Sequence, residues 1–302
     1  MDHQPLISVI ILHFRFPEVS EECLNHVLTQ DHQAVEVFLV DNASGDDFSG
    51  MVAIQDPRVR MISSKTNLGY AGGNNLALKE AKGEFIALIN NDVVLPQGWI
   101  SSMVAAWPES GWGLISSCIV KYGSDGVLQY AGFTPVAPLT GRNNVIGQGK
   151  QWEPEDRLLP TAYAHGSAMM ASREALALAG PISEQYFLYY EELDWSETIR
   201  RAGLNIGVYH GVAALHHGSL SLGKDSPNRW YYYHRGRLIF QRKWLAPSQR
   251  MLFLGYYLLL AVPKELITHL LQRKWGHLRA WFDAASWHLR HWRRLPDQSQ
   301  GR

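Results

Sequence analysis

Apolar-rich runs lie at residues 7–14, 35–40, 59–63 and 85–89, and the last, Phe85 to Ile89, carries no polar face. That pattern suits strands buried on both sides of a parallel sheet. Helical stretches lie between them. Residues 18–30 place Leu24, Val27 and Leu28 on one stripe, and the segment 67–75 runs into a helix that closes near Gly83. Strands alternating with helices predict βαβ units and a mostly parallel sheet, hence an α/β domain. The second half is less regular. Residues 113–122 predict a strand. Residues 123–160, rich in Gly, Pro and Asn, predict a long excursion over the active edge, functional or mobile as loops of that length are. Residues 165–171 predict a strand leading to a helix at 173–179. A further helix starts at the acids near 191, continues to Ala202 and stops at Gly203, and residues 206–215 form the next strand.

Three polar clusters follow these strands. Asp41 closes the second run, Asn67 to Asn75 opens the helix after the third, and Asn90-Asn91-Asp92 ends the fourth. Right-handed crossovers bring them to one sheet edge, where ligands of open α/β sheets bind. An acid after a second strand can grip a ribose or a base edge. Glycines at a helix start let backbone N–H groups approach phosphate, and a carboxylate such as Asp92 can hold a hard cation. Ordinary turn chemistry is the competing reading, both for the Asn–Asp cluster and for Gly69, Gly72 and Gly73. The glycine pattern matches neither the dinucleotide fingerprint nor the P-loop, which argues against a nicotinamide or ATP enzyme.

The stretch 186–203 runs aromatic residues directly into Glu191-Glu192-Leu193-Asp194. Acids in a first helical turn complement the macrodipole. Aromatic walls also exclude water and raise a carboxylate's pKa, which is how a general base is made. His216 and His217 follow the strand at 206–215, and a His beside a cation-binding Asp is a credible ligand.

Composition sets the outer limits. The 302 residues, 46% hydrophobic and 19% charged, suit one large globular domain or one domain with an appendage. Cys23 and Cys118 make neither a disulfide framework nor a metal spacing, so a reducing compartment is expected. The first residues have no basic segment ahead of a long apolar stretch, so no signal peptide is expected.

Charge divides the chain at residue 228. Residues 1–228 hold 14 Lys and Arg against 25 Asp and Glu, net −11, and residues 229–302 hold 14 against 3, net +11. The basic part predicts an anionic partner. Its apolar run at 251–262 is 12 residues long and meets Pro263, shorter than the roughly 20 residues of a spanning helix. Beyond it Trp275, Trp281, Trp287 and Trp292 mix with Arg273, Lys274, Arg279, Arg290, Arg293 and Arg294. Trp with Lys and Arg on helices suits a membrane interface. Packing on the first domain and an oligomer contact remain open.

Taken in order and spacing, Ser8-Val9-Ile10-Ile11, Asp41-Asn42-Ala43-Ser44, the segment from Asn67 to Asn75, Asn90-Asn91-Asp92, Phe187 to Asp194, and His216 with Ser219 resemble an inverting glycosyltransferase of family 2, rhamnosyltransferase-like, over about residues 6–240. The charge, tryptophan and apolar pattern predict a helical, membrane-associating region at 229–302, and the resemblance implies a GT-A fold, Rossmann-like, at 1–228. It implies a nucleotide-sugar donor, dTDP-rhamnose or a UDP-sugar, and a divalent metal, magnesium or manganese. Asp41, Asn42, Asn67, Gly69, Asn74 and Asn91 would lie at the donor, and Asp92 and His216 at the metal. Glu192 would be the catalytic base. The family's Asp-x-Asp element has one acid here instead of two, and the base is Glu instead of Asp, which leaves Glu191 and Asp194 as alternatives. The implied acceptor is a lipid-linked or cell-surface glycan at the cytoplasmic face of the membrane. Expected partners are that glycan, the donor and an anionic membrane surface, with a homo-oligomer open and no nucleic acid. A catalytically silent nucleotide-sugar or glycan-binding module is the alternative from another class.

Overall fold

The central sheet starts with four parallel strands, β1 (Ile7–His13), β2 (Val35–Asp41), β3 (Val59–Ser63) and β4 (Phe85–Asn90), in the order β3-β2-β1-β4. These strands form where the apolar runs lie, and Ile7, Val9, Ile10 and Ile11 are fully buried. The structure is a computed structural model that describes residues 4–108, 110–218 and 225–291. Ser219, Trp292, Arg293 and Arg294 lie outside the described residues.

Helix α1 (Pro17–Leu28) carries Pro at its start, where the missing N–H costs nothing. Helix α2 (Gly69–Leu78) follows β3. The two-residue strand β5 (Val93–Val94) and α3 (Trp99–Ala105) come after β4. The remaining strands are β6 (Trp112–Lys121), β7 (Leu128–Tyr130), β8 (Leu158–Pro160), β9 (Ala168–Ser172) and β10 (Asn205–His216). The full order is β3-β2-β1-β4-β9-β6-β10-β5, with β7 on β6 and β8 on β10. The sheet is therefore mixed. β9 inserts antiparallel between β4 and β6, and β5 runs antiparallel to β10, while β6 and β10 are parallel. The expected excursion at 123–160 is not a bare loop, because β7 and β8 pair its ends into the sheet.

Helix α4 (Arg173–Ala179) is capped by the Ser172 hydroxyl, which accepts from the Ala175 N–H, and ends at Gly180 with φ +72. Helix α5 (Glu191–Arg201) opens on its acids. Arg200 and Arg201 close it, both paired with Glu197 one turn back.

The chain divides into two units. One holds Met1–Thr134, Val145–Phe187 and Glu191–Ser221; the other holds Pro135–Asn144, Leu188–Tyr190 and Leu222–Arg302. The division thus falls a few residues before the change of charge at 228, and two loop segments join the basic part.

The second unit is helical: α6 (Pro227–Trp244), α7 (Pro247–Tyr256), a π-helical turn (Tyr257–Ala261), α8 (Val262–Leu271) and α9 (Trp275–His291). Its small core holds Leu245, Phe253, Tyr257, Ala261 and Val262. Arg237 is fully buried, donates to the Thr140 carbonyl and lies 4.9 Å from the Tyr257 ring centre. The expectation of an apolar segment too short to cross a membrane is corrected here. From Pro247 to Leu271 the helix is continuous over 25 residues, long and apolar enough for a span by length and composition. Pro263 does not end it. A helical Pro clashes with the carbonyl four residues back, and the π turn widens the backbone at that point, absorbing the clash.

Candidate active site

Three clusters from the first unit gather at the carboxyl ends of β1, β2 and β4. The first is the loop between β3 and α2. Asn42 is buried, and its amide donates to Asn67 Oδ1 at 3.1 Å and to the Gly69 carbonyl at 3.0 Å, while its Oδ1 accepts from the Leu68 N–H at 2.9 Å. Asn67 Oδ1 also accepts from the Gly69 N–H. Asn42 therefore holds this loop in shape and spends its side chain doing so. Gly69 sits at φ +71, and a Cβ there would lie 2.1 Å from the Phe187 carbonyl oxygen, which also accepts from the Tyr70 N–H. Only glycine fits both the conformation and the approach. Gly69→Ala is expected to destabilise this unit by roughly 3 kcal/mol. A denaturant midpoint equal to that of the parent chain would contradict the packing described.

Asp41 accepts from the Ser44 N–H at 2.9 Å and closes an Asx turn at the end of β2. Asn74 is buried in α2, donates to the Tyr70 carbonyl at 2.9 Å and leaves its Oδ1 without a partner among the described residues. Asn91 donates to Ser20 Oγ at 2.8 Å and to the Arg15 carbonyl. Ser20 in turn meets His13 Nδ1 at 2.6 Å, and His13 Nε2 meets Asp46 at 2.9 Å. This network ties the ends of β1, β2 and β4 together. Arg15 and Phe16, beside it, both have positive φ. Two such non-glycine residues in succession store strain of the kind that clusters at functional sites.

The second cluster is Asp92 with His216. The β5–β10 pairing places His216 opposite Val93, the residue after Asp92. His216 Nε2 lies 3.3 Å from Asp92 Oδ1, and His216 Nδ1 meets Gln129 Oε1 at 2.9 Å. A donor bond from Nδ1 to Gln129 leaves Nε2 as the free lone pair. A carboxylate oxygen and an imidazole nitrogen at this separation have the spacing of two adjacent ligands of one cation with bonds of about 2.0–2.2 Å. The pair fits a divalent cation. Among the described residues no group of three or more His, Cys, Asp or Glu side chains gathers, so water and phosphate oxygens would have to complete such a site. His165 stands nearby, its ring 6.2 Å from that of His216. Burial, together with the neighbouring His216, holds His165 neutral with a pKa of about 3.

The third cluster is the acidic pair that opens α5. Glu191 is buried, and both Glu191 Oε2 and Glu192 Oε2 lack a partner among the described residues. Burial raises Glu192 to about 7, against backbone N–H groups that lower it. Burial raises Glu191 well above the carboxylate range, and the Glu192 charge raises it further. Asp194 faces elsewhere. It is buried and accepts from the Tyr186 hydroxyl at 3.1 Å. The segment before β9 links this pair to the second cluster. The Ser167 carbonyl accepts from the Asn90 N–H, the Gly166 carbonyl accepts from the Tyr70 hydroxyl at 2.6 Å, and a Cβ on Gly166 would lie 3.6 Å from Glu192 Cβ.

Gln129, His165 and Tyr70 thus belong to the site, although sequence reasoning assigned them no role. A lone Gln or His in an irregular stretch carries no periodic or spacing signal.

This architecture is the GT-A fold of glycosyltransferases. The first 349 residues of TarS from S. aureus superimpose with a TM-score of 0.59 at 18% identity, covering 92% of this chain and 80% of that one. The mannosyltransferase PcManGT of Pyrobaculum calidifontis, solved with GDP-Man and Mn2+, gives 0.55 at 19% identity over 95% and 76%. The model of glycosyl transferase family 2 matches residues 8–176, and the chain belongs to that family. It is 28% identical over 216 residues to a low-salt glycan biosynthesis hexosyltransferase of Haloferax volcanii, covering 70% of this chain and 66% of that protein. It is 25% identical over 232 residues to an N-acetylglucosaminyl-diphospho-decaprenol L-rhamnosyltransferase of Mycobacterium tuberculosis, covering 68% and 74%.

Proposed function

We propose that the protein is a metal-dependent inverting glycosyltransferase that moves a sugar from a nucleotide-sugar donor, dTDP-rhamnose or a UDP-sugar, to a hydroxyl of a lipid-linked glycan at the cytoplasmic face of the membrane. The observation that carries this reading is that the Gly166–Ser167 segment borders two unlike groups: beside Ser167 the Asn90–Asp92 turn with its cation-suited Asp92–His216 pair, and beside Gly166 a half-buried Glu192 whose Oε2 has no partner among the described residues and whose pKa is about 7. The relative that acts on a decaprenol-linked sugar supports the lipid-linked acceptor.

In this reading Asp41, Asn67, Asn74 and the loop held by Asn42 and Gly69 receive the nucleotide. Asn91 keeps the Asn90–Asp92 turn in place. Asp92 and His216 would hold magnesium or manganese, which when bound neutralises charge on the diphosphate. Glu192 accepts the proton of the acceptor hydroxyl. That oxygen bonds to the anomeric carbon from the face opposite the leaving group, and the carbon–oxygen bond to phosphate breaks. Glu191, held protonated beside it, leaves the negative charge on Glu192 alone. Asp194 orients the start of α5 through Tyr186 and takes no proton.

A thermal-shift screen of nucleotide sugars with and without manganese tests the reading. One donor class should raise the melting temperature in a metal-dependent way, since ligands of the native state stabilise it. No shift with any nucleotide sugar or nucleoside diphosphate, at concentrations far above ordinary donor affinities, would count against it.

A further inference from the structure

The helix from Pro247 to Leu271 is apolar on both its faces. Its inward face carries Phe253, Tyr257, Ala261 and Val262 but also the polar Glu265 and His269. Glu265 pairs there with His234 at 3.2 Å and with Arg142 at 2.6 Å. Its outward face is mainly aliphatic: Leu252, Leu258, Leu259, Leu260, Ile267 and Leu271 are all exposed, Leu259 to 75% and Leu271 to 78%, with Lys264 and Thr268 the exposed polar residues between Leu260 and Leu271. A surface helix in water carries polar residues on its outward face. The π turn keeps this division in phase. It adds about one residue to the helical repeat, so Phe253, Tyr257, Ala261, Glu265 and His269 stay on one side past Pro263. Helix α9 adds a second exposed stripe, Trp275, Phe282 and Leu289, at a spacing of seven, with Arg279 and Arg290 exposed on the same helix.

We infer that this outward face is a monotopic membrane anchor, seated in the plane of an anionic bilayer with the aliphatic row below the headgroups. The inference deepens the membrane part of the proposed function. Two observations select the occupant. The region is strongly basic, 14 Lys and Arg against 3 acids over 229–302, which complements anionic lipid. Exposed Trp275 stands at the end of the aliphatic row beside Arg273 and Lys274, the amphipathic combination that settles at headgroup level. A spanning orientation is disfavoured although the length allows it. Helix α6 packs on α7, and α9 packs on both α8 and α6. A vertical helix would pull the Arg and Lys residues of α6 into hydrocarbon, where charges are costly. Lying in the plane places the aliphatic face in lipid and leaves those charges at the surface.

The test uses the full chain with vesicles of phosphatidylcholine alone and of phosphatidylcholine mixed with phosphatidylglycerol. Binding to the anionic vesicles is expected, weakened by salt. Leu252→Gln, Leu259→Gln, Ile267→Gln and Leu271→Gln combined should lower the partition coefficient on the order of 100-fold or more, because four exposed side chains lose their transfer to lipid. Their metal-dependent donor shift should not change, so a failure of the anchor is separable from a failure of the enzymatic reading. A fluorophore placed singly by Leu252→Cys, Leu259→Cys or Leu271→Cys, with the native Cys23 and Cys118 buried, should report one shallow depth with quencher-labelled lipids. Three depths graded across the bilayer would overturn the in-plane seat. Equal partitioning of the fourfold variant, no binding by the full chain at low salt, or a solution dimer that the fourfold variant dissolves would overturn the anchor itself.

Discussion

Glu192→Gln lowers turnover by roughly two to four orders of magnitude while donor affinity stays nearly unchanged. The amide keeps the shape of the side chain but accepts no proton. Among the three acids in the first turn of α5, Glu192 combines an unpartnered carboxylate oxygen with a position beside Gly166, whereas Asp194 is occupied by Tyr186. Glu191→Gln is expected to cost far less, and Asp194→Asn to act on stability. A dead Glu191→Gln beside an active Glu192→Gln would reverse the assignment.

The pH dependence carries a sign. With Glu192 as the proposed base, which must be ionised to accept a proton, kcat/KM should fall as pH drops through about 7. Stability runs the other way. A carboxyl raised from 4.5 to about 7 binds its proton more tightly when folded, so its contribution is fully present below 4.5 and is lost as pH rises through about 7. Glu192→Gln should therefore gain in melting temperature over the parent chain at pH 8 and lose that gain near pH 4. The same burial that would tune Glu192 as a base for neutral pH costs the fold stability there.

Asp92→Asn and His216→Ala weaken manganese binding by at least about 100-fold, with circular dichroism unchanged. Neither side chain supports the core, and both turn toward each other at 3.3 Å. Gln129→Ala should act in the same direction more weakly, on the order of 10-fold, because it removes the partner that fixes the His216 tautomer. The readout is manganese titration followed by electron paramagnetic resonance, which needs no turnover. Full manganese affinity in either Asp92→Asn or His216→Ala would remove that residue from the metal site.

β1, β2 and β4 were legible because each is buried over most of its length and so reads as a nearly unbroken apolar run, whereas β3, half-buried at the sheet edge, was legible by its place in the alternation of strands and helices. Direction was not legible. Nothing in Ala168–Ser172 distinguishes an antiparallel insertion from another parallel strand, since burial constrains side chains and not chain sense. The meeting of Asp92 with His216 depends on the antiparallel β5–β10 pairing, so its geometry could be anticipated only through a family resemblance. Asn42 was legible as a polar residue at a strand end, but its use as a loop clamp depends on three contacts with residues about 25 positions away. Pro263 read as a stop because the local rule holds for an α-helix, and the π turn that suspends it leaves no mark in the sequence.

The stereochemistry of donor cleavage tests the central claim most directly. The nucleotide sugar that gives a metal-dependent thermal shift is incubated with the full chain and magnesium, and the sugar first transferred or released is read by proton NMR. An anomeric configuration opposite to that of the donor is expected, with cleavage lost in Glu192→Gln. A retained configuration, or no cleavage of a donor that binds, would contradict it.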